Sequence, residues 1–294
     1  MKHSVRLRWS AWAGASFLLV TVLLHGANWT ELAATLTYSY IISFHLAPWG
    51  VLGLCALMCW YKRRAIRSGM ELPPSLIFII AGLVLLGLAF FIPLSPDFFL
   101  LRLLAALVGL FAVCFGPGAL IPLVLVATYA FTICFPILVD NYLSVGFISS
   151  AVAPVAWLVR LSGLYIVAGN QTFQFSLPSG QPIVVQVASA CAGPTTMAVF
   201  VVIFVLMMLD LPLPWPMAVQ VFLFGVVGTW LQNVIRIIII LGCGYFWGYN
   251  ALETAHYWTV YVMFPLWYLF FVSFYFRYVN NTTPALPGRP PDAH

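Results

Sequence analysis

The sequence predicts an all-α polytopic membrane protein of about eight transmembrane helices, with one small extracytoplasmic β-hairpin. Two observations carry that prediction. Of 294 residues, 63% are hydrophobic and only 6% are charged, against about 25% charged in soluble domains. Twelve Lys and Arg with seven Asp and Glu cannot cover a water-facing shell, so most of the surface must face lipid. The apolar residues also fall in long unbroken runs, near the roughly 20 residues that a helix needs to cross a bilayer. A membrane β-barrel would alternate apolar and polar residues instead.

The elements follow in order. Residues 9–27 form an apolar run behind Lys2, Arg6 and Arg8. They resemble the front of a signal peptide, but no small-x-small cleavage site follows, and the run is read as a retained first helix. A second run, 33–61, ends in Lys62, Arg63, Arg64 and Arg67, the strongest cytoplasmic marker in the chain. Pro73 and Pro74 restart the chain into a third helix ending near Ile92, and Pro93 to Pro96 turn it. A fourth helix ends near Phe115, Gly116-Pro117-Gly118 turns it, and a fifth ends near Leu138. Segment 145–167, carrying Pro154 and Arg160, either crosses the membrane or lies at its interface. Then the period changes: Phe173, Phe175 and Leu177 alternate with polar neighbours, Pro178-Ser179-Gly180 supplies turn residues, and 183–187 is β-branched, the pattern of a hairpin. Its open edges require a position outside the hydrocarbon. Runs 194–209, 216–241 and 257–276 complete the set.

With 145–167 at the interface the count is eight, and both termini are cytoplasmic. Nine of the twelve basic residues (Lys2, Arg6, Arg8, Lys62, Arg63, Arg64, Arg67, Arg277 and Arg289) then lie inside, as the positive-inside bias requires. Asp97, Asp140, Glu253 and the hairpin fall outside. The expected organisation is one integral membrane domain over 1–279, in the cell membrane, and a Pro-rich, disordered cytoplasmic tail over 280–294. The net charge of +5 is not collected on a soluble face, so no nucleic-acid partner is expected. Cys55, Cys59, Cys114, Cys134, Cys191 and Cys243 show no C-x-x-C spacing. No metal or cofactor is expected, and inert thiols are the default for all but Cys191.

Polar groups near a membrane are costly, and each needs a partner or a purpose. This topology collects three at one face. Cys191 lies between the hairpin and the next helix, with Pro194 suited to the first helical position; a helix N-terminus favours an ionised sulfur. Arg236 sits toward the outer end of its helix and cannot shed its charge. Asn233, three residues earlier, shares its helix face. His256 opens the last helix and can exchange a proton near neutral pH, with Glu253 one turn earlier to orient it. A thiolate to attack a peptide carbonyl, a fixed cation for the developing charge and an imidazole to move protons together suit acyl transfer.

In Ala190-Cys191-Ala192-Gly193, Asn233-Val234-Ile235-Arg236 and His256, the sequence resembles the exosortase and archaeosortase family of multi-pass membrane cysteine transpeptidases. The match in order and spacing covers 169–276; the first half agrees in hydrophobicity and helix count. Ala192 and Pro194 stand where Ser or Thr and a larger apolar residue are common, and the segment after His256 lacks a Gly often found there. The resemblance implies catalytic Cys191, Arg236 and His256 at the extracytoplasmic face. The implied substrates are secreted proteins with a tripartite C-terminal sorting signal: a short motif, a transmembrane helix and a basic cluster. The new C-terminus would pass through a Cys191 thioester to an amine or lipid-linked acceptor, with membrane lipids around the site.

Read on their own residues, the same positions also fit blander roles. Cys191 fits a buried thiol, Arg236 a packing or headgroup contact, and His256 a polar cap. Arg102 and Arg160 fit interfacial anchors that snorkel to water, and Gly225 and Gly228 fit close helix packing. The competing functions are a thiol hydrolase using water as acceptor and a transporter or structural bundle. A transporter would spread ionisable groups near mid-membrane, whereas here they gather near one face.

Overall fold

The computed structural model describes residues 46–93, 96–169, 171–177 and 180–282. The expected first helix, the start of the second run and the end of the tail lie outside these. The chain divides into two compact units, up to Cys134 and from Phe135.

The described residues of the first unit form α1 (Leu46–Tyr61) and α2 (Arg63–Met70), followed by α3 (Leu76–Phe91) and α4 (Pro96–Phe115). The basic cluster after Tyr61, expected as a cytoplasmic marker, is mostly helical. Its seat explains why: a Cβ on Gly69 would lie 2.9 Å from the Gly118 backbone, so α2 rests its end on the Gly116–Ala119 turn. That turn needs glycine at its start, where Gly116 has φ +56° against Pro74. Helices α3 and α4 form a hairpin that closes on small residues. A Cβ on Gly82 would meet the Gly109 carbonyl at 2.6 Å, and Ala89, Ala105 and Ala106 fill the core. Arg102 shares the face of Ala105 and Ala106 one turn away and is buried, with its Nε unpartnered, so the expected snorkelling anchor is not what the structure shows. Arg160, by contrast, is exposed.

Helix α5 (Leu120–Leu138) passes through a widened turn at Val139–Leu143 into α6 (Ser144–Leu161), so the break expected after Leu138 is a π-helical stretch. Pro154 lies inside α6, and the helix stops at Leu161, before the expected end at 167. A three-stranded antiparallel sheet follows, β1 (Val167–Ala168), β2 (Thr172–Ser176) and β3 (Pro182–Gln186), in the order β1-β2-β3. Phe173 pairs with Val185 and Phe175 with Ile183, so the expected hairpin is present and β1 extends it. Phe173, Phe175 and Ile183 pack with Ile148, Val152 and Val155 of α6 and with Val234, Ile237 and Leu241 of a later helix.

Three helices complete the described residues: α7 (Pro194–Asp210), α8 (Trp215–Trp247) and α9 (Tyr249–Thr282). The long outer loop expected before residue 257 is reduced to Gly248, whose φ of +88° lets the chain reverse at once. Polar Asn250, Glu253 and Thr254 hide the start of α9 from a hydropathy reading, so His256 lies in its second turn rather than at its opening. Likewise α9 continues past Phe276 to Thr282, into the segment expected as disordered tail. Among the described residues, three helical stretches are long and apolar enough to cross a membrane: Leu100–Leu161, Trp215–Trp247 and Tyr249–Asn280. Pro48–Tyr61, Leu76–Phe91 and Pro194–Asp210 are shorter apolar helices.

Candidate active site

The site is built where α8 passes both the turn before α7 and the start of α9. Cys191 lies in a short 3-10 turn, Ser189–Ala192, closed by its own N–H on the Ala188 carbonyl at 2.9 Å. Gly193 follows at φ +101° and hands the chain to Pro194 at the first position of α7. The left-handed backbone is one reason for glycine here. The other is space, because a Cβ would lie 3.0 Å from Asn233 Cγ.

Asn233 is only 2% exposed, and its Nδ2 donates to the Cys191 carbonyl at 3.1 Å. The α7 side holds the same turn. Thr196 Oγ1 donates to the Gly193 carbonyl, and Tyr268 of α9 donates to the Thr196 carbonyl, each at 2.8 Å. Cys191 itself is partly exposed and packs against the core of sheet, α6 and α8. All six cysteines are free thiols.

Arg236, one turn after Asn233 on the same face, is 6% exposed. Its Nε donates to Thr259 Oγ1 at 3.2 Å and its Nη2 to the His256 main-chain carbonyl at 3.4 Å. Among the described residues these hydrogen-bond partners are neutral. Burying a guanidinium without a carboxylate is costly, so its charge is available to something else. The structure thus brings the Cys191, Arg236 and His256 segments together around α8. His256 and Glu253 expose their side chains, and the Arg236 bond reaches the His256 backbone.

Sequence reasoning did not single out Thr259 or Gln232. Gln232 Nε2 donates to the Met263 carbonyl, and Trp267 Nε1 donates to Thr229 Oγ1 at 3.0 Å. Residues 229, 232 and 236 of α8 therefore meet 267, 263 and 259 of α9 in antiparallel register, a ladder of polar rungs leading to the site. The available signal is the helical spacing of Thr229, Gln232 and Arg236, at i, i+3 and i+7 on one face. Gly225 and Gly228 line the same contact. A Cβ on either would overlap the rings of Phe200 or Trp267, so both are close-packing positions.

This geometry coincides with a family match over residues 47–273, to the model described as transmembrane exosortase. The chain belongs to the transmembrane exosortase family. The match takes in the first unit as well as the site, beyond the 169–276 segment where the motifs alone carry the likeness. No curated protein and no solved structure matches the chain. Family membership brings the general activity with it: a membrane cysteine transpeptidase that cleaves the C-terminal sorting signal of protein substrates.

Proposed function

We propose that Cys191 is the nucleophile of this transpeptidase, that Arg236 is its fixed cation and that His256 carries its protons. The observation that carries this reading is the double attachment made by one turn of α8: Asn233 to the Cys191 carbonyl and Arg236 to the His256 carbonyl. A single rigid element then sets the spacing of sulfur, cation and imidazole, as a reacting site requires.

In the first half-reaction the Cys191 thiolate attacks the scissile carbonyl carbon, and the oxyanion forms under the positive field of Arg236. The C–N bond breaks, and the departing amine takes a proton from protonated His256. A thioester remains on Cys191. In the second half-reaction an amine or a lipid-linked nucleophile gives its proton to His256 and attacks the thioester, and the C–S bond breaks to return the thiolate. Glu253, one turn before His256, is placed to orient its imidazole, while Asn233 holds the turn that carries the sulfur.

The proposed substrates are secreted proteins with a C-terminal motif, a transmembrane helix and a basic cluster, and the site faces the extracytoplasmic side. Helix length supports the depth. At 1.5 Å per residue, the roughly 20 residues that span a bilayer bring α8 from Trp215 to about Val234. Arg236 then sits just past the hydrocarbon edge. The Lys62 to Arg67 cluster marks the cytoplasmic side on this reading, and both termini are cytoplasmic.

The test is processing of a co-expressed sorting-signal protein in intact cells. Cys191→Ala is expected to insert normally and abolish processing, and a membrane-impermeant maleimide to block the wild-type enzyme from outside. Normal processing by Cys191→Ala removes the nucleophile assignment.

A further inference from the structure

We propose that Thr259 is a positioning residue that sets the plane of the Arg236 guanidinium, so that its free edge serves the Cys191 sulfur. The inference rests on the site reading above and adds a residue to it. A threonine hydroxyl has one hydrogen and two lone pairs. Thr259 gives its hydrogen to the Ala255 carbonyl at 2.7 Å, the i−4 bond that is common for this residue within a helix. Its oxygen can therefore meet Arg236 only as an acceptor, and Nε donates to it at 3.2 Å.

The second contact, Nη2 to the His256 carbonyl, lies on the same side of the fork. Together these two acceptors on α9 engage the Nε and Nη2 edge. A guanidinium has five N–H donors in one plane, so with two engaged on that edge the other three remain for a group on the far side. Cys191 stands on the turn that Asn233, one turn before Arg236 on the same face of α8, holds by its main-chain carbonyl at 3.1 Å. Without the Thr259 oxygen, only the longer carbonyl contact holds the plane, and the fork can turn about its last side-chain bonds.

Thr259 is also a rung of the α8–α9 ladder, so the experiment must separate orientation from packing. The probe is iodoacetamide at pH 7 on the full-length protein in detergent, with the rate of Cys191 modification read by peptide mass spectrometry. Thermal stability is followed in parallel. The thiolate is the reacting species, and loss of a neighbouring opposite charge is expected to slow Arg236→Gln by about tenfold or more. Thr259→Val, which keeps shape and loses the acceptor, slows Cys191 severalfold, and Thr259→Ser restores the wild-type rate. Thr229→Val, a more distant rung, lowers thermal stability and leaves the rate unchanged. If Thr259→Val does not fold, Thr259→Ala against Thr259→Ser decides the matter on the same readout.

A slowed Arg236→Gln beside an unaffected Thr259→Val overturns the positioning role and leaves the site reading standing. Equal slowing by Thr229→Val, or failure of Thr259→Ser to restore the rate, overturns it too, because packing then accounts for the effect. An Arg236→Gln protein that reacts at the wild-type rate overturns the site reading itself.

Discussion

Between Cys191 and α7, Gly193 has two independent constraints on its side chain. Its φ of +101° disfavours any Cβ, by about 1–2 kcal/mol for an L-residue in the left-handed region. A Cβ would also press on Asn233 Cγ at 3.0 Å, the side chain that anchors the Cys191 carbonyl. Gly193→Ala is therefore expected to lower the thermal midpoint and to lose processing activity. Because the two residues touch, Gly193→Ala with Asn233→Ala should cost less than the sum of the single changes. Additive costs would show that the contact is unimportant. Arg236 and His256 stand out as candidates in the sequence because ionisable residues are scarce in so apolar a chain, and Cys191 stands out by its place between the hairpin and the next helix. Thr259 was not legible. A hydroxyl that satisfies itself on its own helix is unremarkable until an arginine from another helix is found on its oxygen.

At the scale of elements, α8 and α9 are held by close glycine contacts and by hydrogen bonds, as expected where lipid offers no hydrophobic drive to association. Gly228 lies under the Trp267 ring, and Trp267 reaches Thr229 of the same turn. Gly228→Ala is expected to push the helices apart and to destabilise by about 1–3 kcal/mol, the usual cost of overpacking. Trp267→Phe in that background removes the ring atoms that a Cβ would meet, and part of the thermal midpoint should return. No recovery would mean that the helices are held elsewhere. The positions of α3, α4 and α7 could be read within a few residues, since turn residues bound their apolar runs. The α8–α9 boundary could not, because Gly248 alone makes the reversal and polar residues fill the first turns of α9. Strand β1, two residues long, has no period to detect.

For the molecule as a whole, composition alone identified lipid as the solvent, while the number of crossings was less readable. Leu100–Leu161 is a single apolar helical stretch of 62 residues, roughly 93 Å if straight at 1.5 Å per residue, or about three bilayer cores. It is interrupted by the Gly116–Ala119 turn and widened at Val139–Leu143, features that leave little trace in hydropathy. The family match over 47–273 shows that this first half belongs to the same design, although its motifs lie elsewhere.

The account stands on a thioester at Cys191, and trapping it is the most direct test. Wild-type enzyme and Cys191→Ala would each be incubated with a sorting-signal substrate and quenched in acid, then measured by intact and peptide mass spectrometry. The expected result is an adduct of substrate mass on the Cys191 peptide of the wild type, released by hydroxylamine and missing from the variant. An adduct on another residue, or substrate cleaved by Cys191→Ala at the wild-type rate, would contradict it.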